Sequence, residues 1–200
     1  FKENWQREKF TGLAPELASF QPVQNNISFN HAGATRGLHA EPWDKLVSVA
    51  QGKIFGAWCD LREGSESFGE VVTHEVGPET AVFVPRGVAN GFQALEETSY
   101  CYLVNEHWSA EARYSAVNLN IVDWPLEPTE ISEKDKQHPA LAEVSPMPAR
   151  RILVTGANGQ LGRALKRLLA DAELCTHADF DITDPPERNW KQYSAIINCA

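Results

Sequence analysis

Between residues 23 and 105 apolar and polar positions alternate in short segments, at 23–30, 46–49, 53–61, 70–76, 81–84, 91–95 and 100–105. Gly52, Gly64, Gly69, Gly77-Pro78 and Pro85-Arg86-Gly87 punctuate them. A period of two, broken by turn residues every 8 to 12 positions, predicts a closed all-β unit. Residues 53–61 are apolar on both faces for most of their length, which predicts a strand covered on both sides, by the opposite sheet and by a neighbouring subunit. A homodimer through the β domain is therefore expected. Residues 1–20 scatter Trp5, Phe10 and Phe20 among charged positions and read as an edge strand followed by a loop.

After Trp124-Pro125-Leu126 the texture changes, and residues 127–148 are rich in Glu, Lys and Pro, as in a tail that runs into a linker. Beyond it, residues 151–155 form an apolar strand that leads into Gly156-Ala157-Asn158-Gly159-Gln160-Leu161-Gly162. Leu161, Ala164, Leu165, Leu168 and Leu169 then follow at the spacing of one apolar helix face. Strand, glycine turn and helix open a dinucleotide-binding βαβ unit. Further strands are expected at 173–176 and 195–199. The organisation read from this pattern is a β domain over 1–145, a linker over 146–149, and an incomplete N-terminal βαβ part of a Rossmann domain over 150–200. The chain opens on Phe1 and stops in an apolar run at Cys199-Ala200, so a fragment at both ends is expected.

Composition narrows the functions. A net charge of −9 and a pI near 5.1 argue against nucleic acid, whose phosphates call for clustered Lys and Arg. No apolar run approaches the ~20 residues that cross a bilayer, so no membrane association is expected. Cys59, Cys101, Cys175 and Cys199 show no C-x-x-C spacing and read as reduced residues of a cytoplasmic protein.

Candidate chemistry centres on Arg36-Gly37-Leu38-His39 followed by Lys45. A histidine between two cations suits acid/base work on an anionic substrate. A metal is not expected, because His39 stands alone, Asn90 holds the later position where a second ligand would fall, and His31 and His74 lack partners.

The ordered strings Gln24-Asn25-Asn26-Ile27-Ser28, Arg36-Gly37-Leu38-His39, Lys45-Leu46-Val47, Asp60-Leu61-Arg62-Glu63-Gly64-Ser65, residues 84–92, Asp123-Trp124-Pro125-Leu126 and Ser132-Glu133-Lys134-Asp135 resemble the dTDP-4-dehydrorhamnose 3,5-epimerases. The resemblance covers roughly residues 1–140 and implies an all-β cupin-type jelly roll that needs no cofactor and acts on a dTDP-linked keto sugar. It implies His39 as base, Asp135 as its partner, Tyr102 as acid and Lys45 as stabiliser of the enolate oxygen. Arg36, Gln24 and Asn26 would hold diphosphate and sugar, with Glu3 near the thymine, and Asn90 and Trp108 would also line the substrate pocket. The segment from Ile152 to Arg163, with Asp181-Ile182-Thr183-Asp184 and Ile196-Ile197-Asn198-Cys199-Ala200, is similar to the start of dTDP-4-dehydrorhamnose reductases, which are extended short-chain dehydrogenases. This second resemblance implies NAD(P)H, with Gly156, Gly159, Gln160, Leu161 and Gly162 at the phosphates and Asp181 and Ile182 near the adenine. The chain would then carry two consecutive steps toward dTDP-L-rhamnose. Asn90 in place of a second histidine, and His107-Trp108 in place of paired tyrosines, motivate two alternatives: a non-catalytic sugar-nucleotide-binding module, or an epimerase acting at one carbon only.

Overall fold

Backbone pairing gathers the alternating segments into two antiparallel sheets. The strands are β1 (Gln24–Asn30), β2 (Thr35–Ala40), β3 (Lys45–Gln51), β4 (Ile54–Asp60), β5 (Val71–Val76), β6 (Ala81–Val84), β7 (Val88–Ala94), β8 (Thr98–Val104) and the short β9 (Ser115–Ala116). One sheet has the order β1-β8-β3-β6 and the other β5-β4-β7-β2-β9. This computed structural model describes residues 1–110, 112–169, 172–188 and 190–199, and for residues 15, 16 and 191 the backbone only. Ala200, the last residue of the reductase-like string, lies outside the described residues.

The core follows from the alternation. Val47, Val49, Ile54, Trp58, Val76, Val84, Phe92 and Tyr100 come from both sheets and meet between them. Outside the four-stranded sheet, Leu46 and Leu103 are covered by Leu17 and Phe20, with Trp5 and Phe10 packed alongside. Outside the five-stranded sheet, Leu38, Ala57 and Cys59 are covered by Val117, Val122 and Met147. Both faces of β4 are thus buried by this chain itself, and the two-sided apolar character of residues 53–61 needs no neighbouring subunit to explain it.

The N-terminal segment differs from expectation. Residues 7–11 form a short helix, α1 (Arg7–Thr11), in place of an edge strand, and Gln6 caps it by accepting from the Lys9 backbone N–H at 2.6 Å. Its aromatics serve as a lid on the sheet, with Trp5 edge-on to Phe20 and Phe20 edge-on to Phe83. An irregular spacing of aromatics among charges matches a wrapped lid as well as it matches a strand.

One irregularity sets up the site. The β2–β7 register shifts between Arg36 and His39, where Arg36 pairs with Phe92 but His39 with Asn90. The extra residue on β2 flips the alternation, so Leu38 and Ala40 point to the outer core while Arg36 and His39 face the same pocket. Gly37 makes this possible: its φ is +115°, and a Cβ there would lie 2.5 Å from Gly91 Cα and 2.8 Å from the Asn90 carbonyl oxygen.

The chain divides into two compact units, Phe1–Met147 and Pro148–Ala200. In the second, β10 (Arg151–Thr155) pairs in parallel with β11 (Glu173–Cys175) and β12 (Tyr193–Asn198) in the order β11-β10-β12. A helix at Gln160–Leu168 follows β10. Leu153, Cys175, Phe180 and Tyr193 form its small core. The apolar helix face expected at Leu161 and Leu168 is not covered among the described residues, since these two are 56% and 78% exposed and Gly162 is the buried position of the helix. Periodicity identifies an apolar face but not whether anything packs on it.

Gly37→Ala is expected to destabilise the first unit by roughly 2 kcal/mol or more, from backbone strain and overpacking together. Urea unfolding followed by tryptophan fluorescence measures this, and an unchanged midpoint would show that the bulge does not need glycine.

Candidate active site

The pocket opens between the sheets and has a volume of about 530 Å³, within the range of small-ligand sites. Gln24, Asn26, Arg36, His39, Tyr102 and Trp108, all singled out in the sequence, line it together with Asp135. A smaller compartment of about 250 Å³ shares Arg36, His39 and Tyr102 and adds Lys45 and Asn90. Glu3 is not among these residues; it lies on the surface, paired with Lys9.

At the centre His39 Nε2 lies 2.7 Å from Asp135 Oδ1. Asp135 sits in a one-turn helix, α2 (Glu133–Lys136), capped by Ser132, whose Oγ accepts from the Asp135 backbone N–H at 3.1 Å. The second carboxylate oxygen accepts from the Gly37 N–H at 3.2 Å. Burial pushes the Asp135 carboxyl up, but the hydrogen bonds from His39, Gly37 and Ser132 outweigh it and hold the group below its ordinary value. An ionised acceptor at Nε2 places the imidazole proton there and leaves the lone pair on Nδ1. His39 itself is only partly covered, so its ring remains open to the pocket.

Tyr102 stands on β8, with the Lys45 ammonium 5.3 Å from its ring centre. Burial, and secondarily the nearby Glu41 carboxylate, raise the Tyr102 phenol, which therefore stays protonated at neutral pH. Lys45 forms a buried ion pair with Glu41. Deeper in, Asn90 donates to the Tyr100 hydroxyl at 3.1 Å, and Tyr100 stacks on Phe92 at 4.2 Å. At the mouth, Arg36 pairs with Glu130 at 2.6 Å, and Gln24 donates to Asn26 at 2.7 Å. Trp43 and Tyr114, edge-on at 5.6 Å, add an aromatic wall near Trp108.

Two participants escaped the sequence reading. Glu41 follows His39 by two residues, just past the end of β2, and lines the same pocket. His138 corrects the expectation that His39 stands alone: its ring packs edge-on against His39 with centres 5.0 Å apart, and its Nε2 is 3.9 Å from Asp135 Oδ1. Three residues beyond Asp135 on a helical turn, it was findable by i,i+3 spacing. Burial, and then the His39 charge, lower its pKa. His31 pairs at the surface with Glu97 at 2.7 Å.

In the second unit Gly156 has a φ of +66°, and a Cβ at Gly162 would lie 2.5 Å from the Gly156 carbonyl oxygen. No side chain caps the helix that begins at Gln160. The first turn at Gln160 and Leu161 thus follows a close-packed glycine turn without a capping side chain, an arrangement that fits an anionic ligand. Asp181 accepts from the Thr183 N–H and hydroxyl at 2.8 and 2.7 Å, and the neighbouring Ile182 is exposed.

A two-sheet antiparallel jelly roll with a pocket between its sheets is the architecture of cupin-type proteins. The model for the dTDP-4-dehydrorhamnose 3,5-epimerases matches residues 1–143, and the chain belongs to that family. It is 49% identical to a Streptococcus pyogenes protein described as an RmlC homolog, over 74% of this chain and 80% of that one. Against the dTDP-4-dehydrorhamnose 3,5-epimerase of Pseudomonas aeruginosa it is 33% identical, covering 74% of this chain and 86% of the relative. Among solved structures, RmlC from Streptococcus suis in complex with dTDP-D-xylose superposes with a TM-score of 0.67 at 45% identity, covering 74% of this chain and 81% of that one.

The Asp135 carboxyl has a folded-state pKa below its ordinary 3.8, so its contribution to stability is complete above about pH 4 and is lost as pH falls through the lower folded value. Asp135→Asn removes that contribution. Urea midpoints of the two proteins are expected to differ at pH 7 and to converge on acidification below pH 4; a gap independent of pH would show that the charge of Asp135 does not stabilise the fold.

Proposed function

We propose that the first unit is a 3,5-epimerase of dTDP-4-dehydro-6-deoxy-D-glucose, giving dTDP-4-dehydro-L-rhamnose without a cofactor. The observation that carries this reading is the 2.7 Å His39–Asp135 pair in a pocket that Tyr102 also lines, with Lys45 5.3 Å from the Tyr102 ring. His39 Nδ1 takes the proton from a carbon next to the C4 ketone. The electron pair moves onto the C4 oxygen, and the resulting enolate is stabilised by the Lys45 ammonium that Glu41 holds in the pocket. Asp135 fixes the tautomer that leaves Nδ1 free and stabilises the imidazolium that forms. Tyr102 then donates its proton to the opposite face of the same carbon, inverting it, and solvent resets both groups before the second carbon is treated. The raised Tyr102 pKa keeps the acid charged with its proton until the carbanion appears.

Arg36, Gln24 and Asn26 at the mouth suit the diphosphate and sugar hydroxyls, and the aromatic wall of Trp43, Trp108 and Tyr114 suits the thymine. Asn90 supports the pocket floor through Tyr100. Exposed Ile27 and Phe29 on edge strand β1 support pairing of two β domains.

The second unit is read as the nucleotide-binding start of an NAD(P)H-dependent dTDP-4-dehydrorhamnose reductase with a Rossmann sheet. Gly156, Gly159, Gln160, Leu161 and Gly162 would hold the pyrophosphate through backbone N–H groups, with Asp181 and Ile182 toward the adenine. When bound, the nicotinamide supplies a hydride for the ketone.

Incubation with the keto sugar nucleotide in D₂O is expected to exchange C3-H and C5-H, followed by NMR. His39→Asn should slow exchange by about 10² to 10⁴-fold, and Tyr102→Phe should let exchange outrun inversion. Binding without exchange in the unaltered chain would instead make the unit a sugar-nucleotide-binding module, and exchange at one carbon would make it a mono-epimerase. For the second unit, ³¹P resonances of NADH should broaden with the intact chain and not with Gly162→Val; equal spectra for both would remove the nucleotide reading.

A further inference from the structure

His138 is the least satisfied polar group in the pocket wall. Its side chain is 7% exposed, no well-formed hydrogen bond reaches either ring nitrogen, and its nearest polar company is the Gly37 backbone and the Asp135 carboxylate. A buried imidazole without a well-formed hydrogen bond forfeits part of what it would gain in water, and such exceptions call for a reason. Packing alone would be served better by an apolar residue of similar size. What the position offers instead is convergence: one ligand atom each from His39, Asp135 and His138 lie within 4.8 Å of one another. Asp135 Oδ1 is 2.7 Å from His39 Nε2 and 3.9 Å from His138 Nε2. Ligand atoms about 2.0–2.2 Å from a common ion stand roughly 3 to 4 Å apart, so small ring rotations suffice to bring the three onto one ion. Two imidazoles and a carboxylate form a donor set for borderline divalent metals, and the partly exposed His39 leaves the remaining coordination positions toward the pocket open to water.

We propose that His39, Asp135 and His138 form a binding site for a borderline transition-metal ion of the Zn²⁺ or Co²⁺ type, and that its occupation switches off the His39 base. The second half of this statement rests on the epimerase reading; the first does not. The switch follows from imidazole chemistry. A neutral ring has one lone pair and one N–H; if the metal takes Nε2, the proton moves to Nδ1, and if it takes Nδ1, the lone pair meant for the sugar is spent. Either way the ring keeps no lone pair for a carbon acid. Asp135 at the same time exchanges its hydrogen bond to His39 for a bond to the ion. The site thus opposes the proposed reaction, and metal and turnover compete for one imidazole.

The experiment is a titration of the full, tag-free chain with Co²⁺ at neutral pH, read by the visible d–d bands of cobalt in a low-coordinate N/O site, with Zn²⁺ added to displace them. Wild type should develop the bands and lose them on Zn²⁺ addition, and D₂O exchange at C3 and C5 should fall in proportion to Zn²⁺ occupancy. His138→Ala should weaken Co²⁺ binding at least tenfold and relieve the Zn²⁺ inhibition by the same factor. His138→Gln, which keeps the volume and a neutral polar end, is the second variant should the alanine protein unfold, and it should behave alike. No cobalt bands with the wild type, or bands unchanged in the His138 variants, would overturn the site. Metal bound at this site with exchange undiminished would overturn the switch. A wild type that binds cobalt but never exchanges deuterium even without metal would leave the site standing and reject the epimerase reading.

Discussion

The carboxylate of Asp135 is the constraint around which the first unit is arranged. It ties the turn after the barrel to β2 across 96 residues of sequence, through His39 on one oxygen and the Gly37 N–H on the other. Each bond has a local prerequisite: a glycine with no room for a Cβ, a register shift that turns His39 inward, and a serine cap that fixes the one-turn helix. Because the carboxylate is buried, removal of either donor leaves a charge in a medium that solvates it poorly, so the pieces are energetically coupled and not merely adjacent.

A second ionic group shapes the other wall. Glu41 neutralises Lys45 in the free protein and together with burial keeps the Tyr102 phenol protonated. The pocket therefore holds two differently built groups, the His39–Asp135 pair and the Tyr102 phenol beside the Lys45–Glu41 ion pair. Their environments leave them in different protonation states at neutral pH, a carboxyl held below its ordinary value by hydrogen bonds and a phenol raised by burial and a nearby carboxylate.

The sequence made the strands legible because one face of each is buried, which enforces the period of two; β4 could be read as doubly covered from its composition alone, although not what covered it. The candidate residues His39, Asp135, Tyr102, Lys45 and Arg36 could be named because their strings resemble one family in order and spacing. Glu3 pairs with Lys9 at the surface of this chain, a local contact that no string encodes. Glu41 and His138 each lie two or three residues from a recognised position, just beyond the end of β2 and of α2, where the chain still follows the direction of the element it leaves. The helical turn at residues 7–11 had no pattern to announce it, because a five-residue helix is too short to show a period.

The sheets of the first unit are closed on the outside by its own ends, the aromatic lid before β1 on one and the segment from Val117 to Met147 on the other. A ribosome delivers these ends in order. His39 and Tyr102 emerge well before Asp135, so a nascent chain that already holds all its paired strands still lacks the partner of its imidazole and still shows the outer face of one sheet to water. Completion of the pocket is thereby scheduled last, and a chain stalled shortly before residue 135 would keep part of that sheet face bare and its imidazole unpaired.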